Sequence, residues 1–157
     1  MKIILLTVGK TTNSHLIHLQ EEYQKRLSFY IPYESVVIPE LKNTKNLSIG
    51  EQLEKEADLI LNQLDSNDYV VLLDEKGKPF TSVGFSEFIS KKMLSSIKRT
   101  VFVVGGPYGF SDRMYKRANS LLSLSSMTFS HQMIRLIFVE QLYRAMTILK
   151  GEPYHHD

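Results

Sequence analysis

The sequence predicts an α/β fold: a single-domain, mostly parallel sheet with helices on both faces. Two observations point to it. KIILLTV (2–8), DYVVLLD (68–74) and RTVFVV (99–104) are apolar, rich in β-branched residues and almost without alternation, as strands covered on both faces are. Between these runs the apolar positions shift to helical spacing, and strands alternating with helices build parallel sheets. A chain of 157 residues fits one domain, 1–157, with a core that needs no staples.

The elements follow in order. The first strand, 2–8, ends at Gly9. Residues 14–29 set Leu16, Leu19, Tyr23 and Leu27 at helical spacing, with Glu21, Glu22, Lys25 and Arg26 between them. ESVVI (34–38) is a short strand stopped by Pro39. Ser48 and Glu51 have capping-box spacing in front of an amphipathic helix that runs to about Leu64. After the strand 68–74, EKGKP reads as a turn and 83–94 as a helix. The strand 99–104 leads into GGPYG, and Ser111-Asp112 begins a short helix. A last strand is expected over 121–125 and a last helix over 131–149.

Composition narrows the function classes. Cysteine is absent, which removes disulfides and thiolate chemistry and suits a reducing, cytoplasmic setting. Apolar residues at 43% and charged residues at 23% describe a globular chain, not a disordered one. The apolar run in MKIILLTVGKTT is too short for a signal peptide or a membrane span, so no membrane partner is expected. A net charge of +2 gives no general pull toward nucleic acid; any such contact must be local. No repeat or long linker divides the chain.

Ligands of parallel sheets bind beyond the carboxyl ends of the strands. Three such ends stand out: Leu73-Asp74, Val104-Gly105-Gly106 and Ser125-Ser126-Met127-Thr128. Each also has a plain reading. The glycines relieve crowding in a tight turn, Asp74 forms a turn, and the hydroxyl run caps the last helix with Ser130 near the cap position. Three together in one small sheet favour a site. The last helix adds a second signal. From 133 to 149 its polar residues are Arg135, Glu140, Gln141, Arg144 and Thr147; four share one arc, and Arg135 lies opposite. One sheet face cannot cover so apolar a helix, so a second copy of the chain is expected over it, with Leu142 in the contact. Arg135 is then a site residue or half of an interface ion pair.

LLDEKGK (72–78), VFVVGGPYGF (101–110), LSLSSMTFSHQMIR (122–135), EQLYRA (140–145) and the closing GEPYHHD resemble a known family in order and spacing. They are similar to the large-subunit ribosomal RNA pseudouridine N3-methyltransferases of the SPOUT class, over essentially the whole chain and most strongly over 68–157. That resemblance implies a C-terminal trefoil knot, a homodimer, bent S-adenosylmethionine in the knotted loops, and a pseudouridine of 23S ribosomal RNA in the large ribosomal subunit as acceptor. Cofactor contacts are then expected at Leu73, Gly105, Leu124, Ser125, Ser126, Met127, Thr128 and Phe129, and acceptor-side catalytic residues at Tyr154 and His155. Methyl transfer needs no metal; it needs an in-line approach to a sulfonium methyl and loss of the imino proton, for which a group near neutral pKa, His155 or a water it holds, is suited. Glycines would let main chain approach the cofactor, with Leu73, Leu124 and Phe129 as apolar walls.

The chain departs from the family pattern in two places. Ser130 stands where Pro is common, and His156-Asp157 replaces a cation after the Tyr-His pair, which weakens a fixed contact to RNA phosphate. Arg113, Lys116 and Arg117, or Lys91, Lys92, Lys98 and Arg99, are candidates to compensate. Other readings fit less well. A phospho-acceptor domain needs an acidic cluster where this chain has TVGKTT, and a dinucleotide oxidoreductase needs GxGxxG after the first strand. A non-catalytic RNA-binding or ribosome-binding module that keeps the fold is the remaining alternative, separated by whether the cofactor binds.

Overall fold

Lys2–Val8 forms the interior strand β1, and six of its seven residues are buried because both its faces are covered. In the computed structural model, which describes residues 1–156, it is followed by α1 (Ser14–Leu27), β2 (Tyr33–Ile38), α2 (Ile49–Leu61), β3 (Tyr69–Pro79) and α3 (Ser82–Met93). β4 (Arg99–Val104), α4 (Asp112–Arg117), β5 (Ser120–Ser123) and α5 (His131–Lys150) complete it. The five strands form one sheet in the order β2-β1-β4-β3-β5, every pairing parallel.

Alternate residues of each strand feed opposite cores. Ile3, Leu5, Phe102 and Val104 face α1, α3 and α5 through Leu27, Phe85, Ile89, Phe138 and Leu142. Ile4, Leu6, Val8, Val101 and Val103 face α2 and α4 through Ala57, Ile60 and Met114. The capping box is present: Ser48 Oγ accepts the Glu51 amide at 3.1 Å, and Glu51 accepts the Ser48 amide at 2.7 Å. No helix among the described residues is long and apolar enough to cross a membrane.

Three expectations need correction. EKGKP is not a turn; β3 continues to Pro79, with its register to β5 shifting between Leu73 and Lys78. A Cβ on Gly77 would lie 2.4 Å from the Leu122 carbonyl carbon, so only glycine lets the two backbones close there. Leu19 belongs to no core and is 39% exposed. The dry helix α5 finds its cover inside the chain: α1 and α3 flank it on the sheet, and Leu142 is 0% exposed without any partner. A second copy is therefore not required to bury α5.

Candidate active site

Three loops at the carboxyl edge of the sheet build a cleft. After β4, Gly105–Phe110 fold back on themselves, the Gly109 amide donating to the Gly106 carbonyl at 3.2 Å with Gly109 at φ +82°. A Cβ on Gly105 would stand 2.9 Å from the Gly109 oxygen and 3.1 Å from the Phe110 ring. Gly105 is thus demanded by its own turn, the plain reading of GGPYG. After β5 the chain is held locally: Ser123 Oγ donates to the Ser125 carbonyl, and Ser125 Oγ accepts the Met127 amide, at 3.0 and 2.9 Å. Ser130 caps α5, accepting the Met133 amide at 3.2 Å.

Between these loops lies a cleft of about 420 Å³, within the range of small-molecule sites. Leu73, Gly105, Leu124, Ser125, Ser126, Met127, Thr128 and Phe129 all line it. Reading the sequence did not assign Tyr108, Tyr115, His131 and Ile134, which line it too. Its chemistry suits a nucleoside-bearing ligand: backbone groups and hydroxyls at strand ends, with apolar side chains beside them. Met127 and Phe129 remain 75% and 39% exposed, apolar surface that a planar ring would cover. Asp74 is committed elsewhere, accepting from the Tyr115 hydroxyl at 2.7 Å and the Lys76 amide at 2.8 Å. Burial and Asp74 push the Tyr115 phenol up to about 12, so it stays a donor.

Tyr154 and His155 follow α5 and fold back against its Glu140 and Arg144. The Tyr154 hydroxyl sits 3.0 Å from Glu140 Oε1 and 3.2 Å from the Tyr23 hydroxyl. Arg144 stacks 4.6 Å over its ring and pairs with Glu140 at 2.6 Å. Burial, then the Tyr23 and Glu140 contacts, push the Tyr154 phenol far up, so it acts as a donor and not a base. An Arg144 N–H faces His155 Nδ1 at 3.4 Å; a guanidinium only donates, so Nδ1 is the acceptor in this contact. Ile134, the last cleft residue on α5, precedes Glu140 and Arg144 by six and ten residues, roughly 9–15 Å along the helix at 1.5 Å per residue. Neither Tyr154 nor His155 lines the cleft of its own chain.

Arg135 forms no ion pair among the described residues; it ties the end of β1 to α5. Buried to 3% exposure, it donates to the carbonyls of Val8 and Gly9 at 2.8 and 2.9 Å, capping the end of β1. Gln132 ties the same loop, its Oε1 accepting the Thr12 and Asn13 amides at 2.9 and 3.0 Å. The cation clusters are also engaged. Arg113 pairs with Glu54 and Asp58, Arg117 donates to the carbonyls of Asp65 and Asp68, Arg99 pairs with Asp65 and Asp68, and Lys92 sits 3.7 Å over the Tyr69 ring. Carboxylates thus match the charges of Arg113 and Arg99, whereas Arg117 and Lys92 are held by neutral groups and keep theirs.

A second cavity, also about 420 Å³, opens behind the Gly106–Tyr108 loop. Glu40, Gln52, Glu56, His131 and Arg135 line it. Glu56 is 5% exposed, and burial pushes its carboxyl up; Gln52 and His131 oppose that, and Glu40 adds to it. Two glycines admit the carboxylates. A Cβ on Gly106 would lie 2.5 Å from Glu56 Oε2, and one on Gly9 2.3 Å from Glu40 Oε1.

Compared with known proteins, residues 1–155 match a family model described as "Predicted SPOUT methyltransferase". The chain belongs to the SPOUT methyltransferase family. Its SPOUT relatives include proteins named "Ribosomal RNA large subunit methyltransferase H". The one from Parabacteroides distasonis is 60% identical over 100% of both chains, and that from Flavobacterium johnsoniae 58% identical over 99% of both. The tRNA (m1G37) methyltransferase from Aquifex aeolicus shares the fold, with TM-score 0.59 over 100% of this chain and 76% of that one at 14% identity. As a SPOUT methyltransferase the chain is an enzyme that takes its methyl group from a donor. The second cavity of this SPOUT chain escaped sequence reading because its residues come from separate segments that no local pattern joins.

Proposed function

We propose that this chain methylates large-subunit ribosomal RNA at N3 of a pseudouridine, with S-adenosylmethionine as donor, in the cytoplasm. The observation that carries this reading is full-length identity of 60% to a protein named for large-subunit ribosomal RNA methylation. The cleft supports it chemically. Leu73, Leu124, Met127 and Phe129 would flank the adenine, while main-chain groups at Gly105 and the hydroxyls of Ser125, Ser126 and Thr128 would meet its polar edges. When bound, the cofactor supplies a sulfonium methyl: the C–S bond breaks, the N3–C bond forms, and the N3 proton leaves.

The chain's own residues then position the acceptor. Because Tyr154 and His155 do not line their own chain's cleft and pack on Glu140 and Arg144, roughly 9–15 Å along α5 from Ile134, in this reading they serve an acceptor at a partner's cleft. That separation, with Met127 and Phe129 exposed at the cleft and Met133 exposed on α5, supports a homodimer with shared sites. In it Tyr154 donates a hydrogen bond to the base, and His155 serves as proton acceptor once Arg144 releases Nδ1. Threading of the C-terminal segment into a trefoil knot is part of this proposal; it is supported by the passage of 124–130 across the ends of β3 and β4 while Gln132 is fastened to the loop after β1. The test is incubation of unmethylated large ribosomal subunits with protein and labelled S-adenosylmethionine, followed by mass mapping of nucleosides. One methyl on N3 of a pseudouridine is the expected result; no label, or label on another nucleoside, would overturn the reading.

A further inference from the structure

The second cavity lies beside the cleft proposed for the cofactor and shares Gly106, Pro107, Tyr108 and His131 with it, so ligands in the two spaces would abut. Its wall holds a buried carboxylate with one oxygen in use. Glu56 Oε1 accepts from Gln52 Nε2 at 3.2 Å, and among the described residues no hydrogen bond reaches Oε2, which lies over Gly106. On a side chain only 5% exposed, Oε2 is the acceptor left at the cavity, open to a donor from a ligand. Arg135, fixed on the β1 carbonyls, places a permanent positive charge on the same wall.

We propose that this cavity receives the acceptor base and that Glu56 reads it: Oε2 accepts the N1–H that pseudouridine carries and uridine, whose N1 is bonded to the sugar, lacks. Glu56 is thus a specificity residue for the methyl transfer proposed above, and the inference rests on that reading. A buried group matched to one N–H discriminates strongly against the analogue without it, since that analogue leaves the group unpaired. Glu56→Gln inverts the reader while keeping its shape. Its Oε1 retains the Gln52 bond, which turns the new –NH2 toward the cavity and against the N1–H. Glu56→Asp keeps an acceptor, drawn back by one methylene.

The experiment measures methylation of large ribosomal subunits that carry either pseudouridine or uridine at the acceptor position and lack the methyl mark. Wild type should favour pseudouridine at least tenfold. Glu56→Gln should cut the pseudouridine rate at least tenfold and bring the ratio near one, with unchanged affinity for S-adenosylmethionine in calorimetry. Glu56→Asp should be slower but keep the preference. A merely structural Glu56 would lower both substrates together and leave the ratio intact; that result, or a wild type indifferent to the two bases, overturns the inference alone. Failure of wild type to methylate either particle would instead overturn the ribosomal RNA reading, and this inference with it.

Discussion

Leu142→Glu is expected to leave no folded protein, where the sequence alone placed Leu142 in a contact with a second copy. Leu142 is 0% exposed and packs with Phe138, Val139 and Met146 against the sheet. Replacing it removes a buried aliphatic side chain, worth about 2–5 kcal/mol, and buries a carboxyl with no partner at a further cost of several kcal/mol. The sum rivals the whole stability of a domain, about 5–15 kcal/mol. Leu149→Glu, on the same helix but 38% exposed, is the control and should melt within about 1 kcal/mol of wild type. Far-ultraviolet circular dichroism with size-exclusion chromatography checks both. A folded, monomeric Leu142→Glu protein would mean that this residue faces a partner and that the packing of α5 between α1 and α3 is misread.

Two inactive variants are expected to restore activity when mixed. Ser126→Trp fills the cleft from an exposed position, and His155→Ala removes the acceptor-side imidazole from the tail. Each homodimer lacks one half of both its sites. Co-expressed or co-refolded chains form heterodimers in which one site combines an intact cleft with an intact tail. Random pairing makes half the dimers mixed, each with one working site of two, so about a quarter of wild-type activity should return. The distance from cleft to tail within one chain makes this a strong expectation. Turnover of labelled methyl into large subunits is the readout, and a mixture as inactive as its components would remove the shared site.

Local chemistry made much of this molecule legible. Strands such as β1 announce themselves by unbroken apolar runs, and Ser48 with Glu51 by a spacing that closes a hydrogen-bonded ring within one turn. The cleft was legible for the same reason: its parts are strand ends, and a parallel sheet brings those ends together whatever the details. What stayed hidden depends on which distant segments touch. Arg135 reads as an odd charge on an apolar helix until the carbonyls of Val8 and Gly9 appear beside it. The dryness of α5 looks like an interface until α1 and α3 are seen to flank it. EKGKP has the residues of a turn, yet Gly77 serves close backbone approach to β5. Glu40, Glu56 and His131 reach one cavity from three remote stretches, a proximity that no periodicity encodes.

Calorimetric titration of S-adenosylmethionine into the wild-type chain and into Ser126→Trp tests whether the cleft between the ends of β3, β4 and β5 is the methyl-donor site. Wild type should saturate at one ligand per chain, and Ser126→Trp should give no heat of binding while melting at the wild-type temperature. Equal binding by the two proteins, or no binding by wild type, would contradict it.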